Sequence, residues 1–181
     1  MPEWKSFTFG EDGEATPTAE APTPASANPA MEPDEYAAKW GTEVSEVPIA
    51  RIEAVLEGDG LPHGSSEFIA FTQLEDIPFQ VHREPADAPW AQIETRILPV
   101  GEGHTEASLQ AIANRWNTEH LQPTVFPIES EDGWILVAAS RFFVGEGLSD
   151  RQIHAMLRRG LIIGVSAAQE VPSFFDEASA E

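Results

Sequence analysis

The stretch TEASLQAIANRWNTEHL, from Thr105 to Leu121, constrains the fold most, because it is a clear amphipathic helix set between strand-like segments. Leu109, Ile112, Ala113 and Trp116 recur at helical spacing and form one apolar stripe, while Gln110, Asn114, Asn117 and Thr118 fall on the other side. Such a helix has to lie against an apolar sheet face. Thr105 is placed to cap its first turn, and Glu106 puts a carboxylate where the helix dipole favours negative charge.

On the N-terminal side, PIARIEAVLEGDG predicts a short helix with Ile49, Ile52, Val55 and Leu56 buried, Pro48 in its first turn, and Gly58 or Gly60 at its end. Three strands follow, Glu67 to Glu75, Ile77 to Arg83 and Trp90 to Leu98. The last alternates strictly, with Ala91, Ile93, Thr95 and Ile97 on one face and Gln92, Glu94 and Arg96 on the other. Beyond the central helix, Thr124 to Ile128 and Gly133 to Val144 read as a hairpin through Glu131, Asp132 and Gly133. Ser149 and Gln152 then make a capping box for a long helix that buries Ile153, Met156, Leu157, Leu161 and Val165.

Helix, three strands, helix, two strands, helix, joined by short connections, describes an α+β fold with an antiparallel sheet of about five strands. The strand from Gly133 to Val144 is apolar on both faces, so its second face is expected to be covered by the last helix, by the N-terminal tail or by a second subunit. The twofold reading predicts a homodimer. Gly160 and Gly164, four apart on the buried side of the last helix, predict close approach of another backbone.

Composition sorts the partners. The formal charge is −21, from 31 acidic and 10 basic residues, which makes nucleic acid a poor partner. Residues 1–46 hold 10 acids and 2 bases, so the remainder, with 21 and 8, is acidic on its own. This segment is rich in Pro, Ala, Thr and Glu and reads as a disordered tail, as does 172–181, leaving 47–171 as the folded domain. The tail has an aromatic start: Trp4, Phe7 and Phe9 alternate with polar residues and suit a short strand added to a sheet edge, here or on a partner. Tyr36 and Trp40 suit one helical turn before the domain. With no basic, apolar leader and no run approaching ~20 apolar residues, the chain is expected to be cytoplasmic and not membrane-bound.

Chemistry is hard to place. There is no cysteine, so thiolate nucleophiles and cysteine-held metals are excluded. His63, His82, His104, His120 and His154 show no ligand spacing and are each expected at the surface, so neither metal nor cofactor is predicted. Asn114, Arg115 and Asn117 form an amide and guanidinium cluster that either recognises a peptide or braces backbone near Pro123. Arg158 and Arg159, beside Arg151, form a basic patch that could meet the acidic tail or an acidic partner.

The helix ending NRWNTEH, with Asn114, Trp116 and Asn117, the following Pro123, the turn EDGW, the long apolar strand and then GLSDRQIHAMLRRGLIIG together resemble the YbjN family of bacterial sensory transduction regulators, over Pro48 to Val171. The resemblance implies a fold similar to type III secretion chaperones, which are cytoplasmic dimers that bind protein segments, and a regulatory role in stress and motility responses. It brings no catalytic residue. The expectation is therefore a non-enzymatic protein-binding module. A small enzyme or ligand binder with a pocket between sheet and helices, and a self-assembly subunit, are the alternatives.

Overall fold

The computed structural model describes residues 39–99 and 103–178, together with two short strands near the N-terminus. The chain divides into two units, Met1–Pro33 and Asp34–Glu181. In the first, β1 (Phe7–Phe9) pairs antiparallel with β2 (Ala15–Pro17), Phe7 opposite Pro17. Trp4 and Tyr36 lie outside the described residues.

The second unit runs α1 (Ile49–Gly58), β3 (His63–Ser65), β4 (Ile69–Leu74), β5 (Ile77–His82), β6 (Trp90–Ile97), α2 (Glu106–Glu119), β7 (Thr124–Ser130), β8 (Gly133–Phe143), α3 (Asp150–Glu170) and α4 (Ser173–Ala178). Its strands form one antiparallel sheet in the order β3-β4-β5-β6-β8-β7. The sheet has six strands rather than about five. β3 carries no apolar alternation in HGS and forms only because β4 offers it an edge, His63 opposite Thr72.

Local signals set the helix ends. Thr105 Oγ1 accepts from Ser108 N at 3.2 Å and Ser108 Oγ accepts from Thr105 N at 3.0 Å. Ser149 and Gln152 make the corresponding exchange at the start of α3, at 3.2 and 2.8 Å. Pro48 is the N-cap of α1 and not a residue of its first turn. Among the described residues no helix is long and apolar enough to cross a membrane.

All three long helices pack on one face of the sheet. α1 and α3 enclose Phe79, Val81, Ala91 and Ile93, while α2 with the end of α3 encloses Ile97, Val125, Leu136 and Ala138. Gly160 and Gly164 serve this contact. A Cβ on Gly160 would sit 2.4 Å from Ile93 Cδ1, and one on Gly164 2.5 Å from Phe79 Cε1, so the close approach is to side chains of this chain's own sheet.

The domain is longer at both ends than its periodicity indicates. Ser45 bridges Leu148, and Arg51 Nη1 donates to Ser45 O at 2.8 Å, so residues before 47 belong to it. Beyond 171 the chain turns into α4, and Phe175 is buried in the α2 cluster instead of lying in a tail. One large aromatic residue is enough to hold so short a segment, since its burial removes as much apolar area as a typical core residue.

Candidate functional site

With every helix on one side, the strict alternation of β6 leaves Trp90, Gln92, Glu94, Arg96 and, just past its end, Leu98 on a helix-free face. The register places Phe143, Arg141, Ala139 and Val137 of β8 opposite the first four of these. Thr124, Phe126 and Ile128 of β7 continue the rows on one side, His82, Gln80 and Phe71 of β5 and β4 on the other. Trp90 and Phe143 are half exposed and meet edge to face, ring centres 5.3 Å apart.

A polar row crosses three strands of this face. His82 Nε2 lies 3.0 Å from Glu94 Oε1, close enough for an ion pair although poorly aligned for a hydrogen bond. Gln92 Nε2 donates to Glu94 Oε2 at 2.7 Å, and Arg141 Nε donates to Gln92 Oε1 at 2.6 Å. Two concavities share Gln92 and Arg141. One of about 400 Å³ is lined also by Thr124, Phe126 and Ala139, the other, of about 280 Å³, by His82, Glu84, Ala88 and Trp90.

Burial by itself would raise the pKa of Glu94, but the contacts from His82 and Gln92 and the positive charge of His82 and Arg96 outweigh it and hold the carboxyl below its ordinary value. A depressed native pKa contributes stability that is present above the unfolded value, about 4.3 for Glu, and is lost as pH falls through the native value. Urea midpoints measured from about pH 6 to about pH 3 should therefore fall, and Glu94→Gln should flatten part of that fall. An unchanged slope in the variant would show that this carboxylate is not specially held.

A third cavity, of about 370 Å³, lies on the helix side between α3 and the β4–β5 turn, with Leu61, Leu74, Leu157, Leu161 and Ile162 among its walls and Arg158 at its rim. In its wall His154 is only 4% exposed, which corrects the expectation that every histidine is superficial. Its Nδ1 lies 2.7 Å from Asp59 Oδ2, and Trp40 Nε1 donates to Asp59 Oδ1 at 3.3 Å. Asp59 caps the end of α1, so the pair pins residue 40 and α3 to one point. Among the described residues no three His, Asp or Glu side chains converge as a metal site. His120 stacks flat on Trp116 at 3.7 Å and remains partly exposed.

The sequence-derived candidates are scattered. Asn117 Nδ2 donates to Val125 O at 2.8 Å and its Oδ1 accepts from Val125 N at 2.9 Å, taking both groups that an added strand would use at that point of the β7 edge. Asn114 Oδ1 accepts from Gln110 Nε2 at 2.9 Å. Arg115 Nε lies 3.6 Å from Glu119 and its guanidinium stands 4.3 Å over Phe174. Arg159 is exposed on α3 beside Arg158. These α2 and α3 residues are not on the helix-free face. The sequence does not single out Arg141, and it places Gln92 and His82 only as an outer-face residue and a surface histidine; the signal available was Arg141 interrupting an apolar strand, but which side chains it meets depends on register.

This architecture defines a two-layer α+β protein, one antiparallel sheet covered on one side, with a mixed polar and apolar face on the other. Residues 48–171 match the YbjN family, whose description is "Putative bacterial sensory transduction regulator", and the chain belongs to that family. The crystal structure of YbjN from E. coli shares the fold, with a TM-score of 0.56 at 13% identity, over 72% of this chain and 93% of that one. No curated protein matches the chain.

Proposed function

We propose that this YbjN-family chain is a cytoplasmic, non-enzymatic regulator that acts by binding an apolar segment of another protein across the helix-free face. One observation carries the reading: of the seven large apolar residues exposed among those described, Phe71, Trp90, Leu98 and Phe143 are on this one face. Trp90 and Phe143 meet as one exposed aromatic pair, with Phe71 and Leu98 farther along the same face, and concentration of large apolar residues on one face is characteristic of interaction surfaces. The regulatory description of the family supports the absence of catalysis.

The test is the double variant Trp90→Ser, Phe143→Ser. Affinity capture should recover a stoichiometric partner with the parent chain and lose it with the variant, while the unfolding free energy from urea titration drops by no more than about 1 kcal/mol, the worth of one exposed aromatic pair. Equal recovery by both would remove this face from the interaction. Self-association through the same face is the second reading, favoured because Glu94 lies between Arg96 and the Gln92–Arg141 pair, so that two copies related by a twofold axis can set opposite charges against each other. Sedimentation velocity separates the two, since it would give a parent dimer and a variant monomer.

A further inference from the structure

We infer that Arg141, held by Gln92 and bordered by Trp90 and Phe126, receives a single carboxylate that carries an apolar body, as the last residue of a peptide does. It deepens the reading above and rests on it only for which face meets a partner.

Arg141 is positioned before any ligand arrives. Its Nε is engaged with Gln92, Gln92 with Glu94, and Glu94 with His82, so three successive contacts across β8, β6 and β5 fix the guanidinium plane. The two terminal nitrogens, the fork that grips a planar anion with two parallel bonds, make no ion pair among the described residues. Glu94, the carboxylate diagonal to it, is already taken by His82 and Gln92. Ordering cost falls when the receptor group is preset in this way.

The surroundings select the rest of the ligand. Phe126 and Ala139 line one concavity and Trp90 and Ala88 the other, so an apolar group attached to a carboxylate on Arg141 has a wall on either side. Cavities of about 280 and 400 Å³ are at the small end of ligand sites and suit one side chain. Polyanions fit badly: Glu84 stands at the rim, Glu94 stays ionised beside the site, and the chain carries −21. One negative charge is the chemistry that matches.

The experiment titrates N-acetyl-L-phenylalanine into the full-length ¹⁵N-labelled protein and follows the arginine Nε–H signals, the Gln92 side-chain amide and the Trp90 indole. N-acetyl-L-phenylalaninamide, the same body without the charge, is the control. The acid should shift the Arg141, Gln92 and Trp90 signals along one saturating curve, and the amide should bind at least about tenfold more weakly. Arg141→Gln, at an exposed position with an unchanged urea midpoint, should bring the acid down to the amide's level, and Arg141→Lys should keep part of the affinity. Equal binding of acid and amide, or full binding by Arg141→Gln, overturns the assignment. N-acetyl-Ala-Ala-Phe distinguishes the sources: tighter binding than the single residue assigns a peptide terminus, and equal binding assigns a free small acid. Failure here with partner loss intact in the Trp90, Phe143 double variant would remove the carboxylate site and leave the face.

Discussion

Replacing Trp116 by Ala is expected to lower the stability of the folded chain by about 3 to 5 kcal/mol, a large part of the roughly 5 to 15 kcal/mol that holds a domain together. Trp116 is 1% exposed and sits in the cluster that joins α2 to Val125, Leu136 and Phe175. Its ring stacks on His120, and its Nε1 donates to Pro123 O at 2.9 Å, fastening the loop between α2 and β7. Truncation removes the ring, opens a cavity and strands that carbonyl together. Trp116→Phe separates these contributions: most of the packing is kept while the Pro123 carbonyl is left without its donor, at a cost of about 1 to 2 kcal/mol plus whatever volume is lost. Urea midpoints at constant slope measure both. A cost under about 1 kcal/mol for Trp116→Ala would mean that α2 is not anchored to the sheet by this residue.

Gly164→Leu is expected to cost at least about 3 kcal/mol and to lower the melting temperature by roughly 6 to 12 °C. An added Cβ would already lie 2.5 Å from Cε1 and 3.1 Å from Cζ of Phe79, a side chain buried to 2% with no room to swing aside. A leucine therefore lifts α3 from β5. Smaller changes test the same contact with a graded outcome. Gly160→Ala meets Cδ1 of Ile93 at 2.4 Å and its Cβ at 3.3 Å, on a side chain buried to 2%, so the roughly 1 kcal/mol gain in helix propensity offsets only part of the clash and the change should be mildly destabilising. Gly164→Ala meets a ring edge and should remain destabilising. If Gly164→Leu melts with the parent chain, the helix does not sit as closely on the sheet as this structure has it.

These core changes lie on the opposite side of the sheet from Trp90, Phe143 and Arg141. They should alter binding only by reducing the folded fraction, whereas the surface changes should alter binding at constant stability. That separation is what allows the proposed function to be tested apart from the fold.

What could be read from the sequence follows the range of each interaction. The stripes of α1, α2 and α3, the capping pair Ser149 and Gln152, and the alternation of β6 all depend on residues within a few positions of one another, and all appear in the structure. The alternation even separated Gln92, Glu94 and Arg96 from the buried residues. It could not say what they would meet.

Everything that gives the candidate site its chemistry was settled by tertiary pairing. Arg141 reaches Gln92 across 49 positions of chain, and His154 reaches Asp59 across 95, so no local pattern could report that the first is held in place or the second buried. β3 exists because β4 accepts it, α4 because Phe175 finds the α2 cluster, and the glycines of α3 face Phe79 and Ile93 because the helix crosses those strands. The sequence by itself determined the three long helices and the five longer strands of the domain and which of their faces are apolar, since those are short-range consequences of side-chain spacing. Only the packed structure decided that all the helices share one face of the sheet, because that choice is made by burying the most apolar area at once.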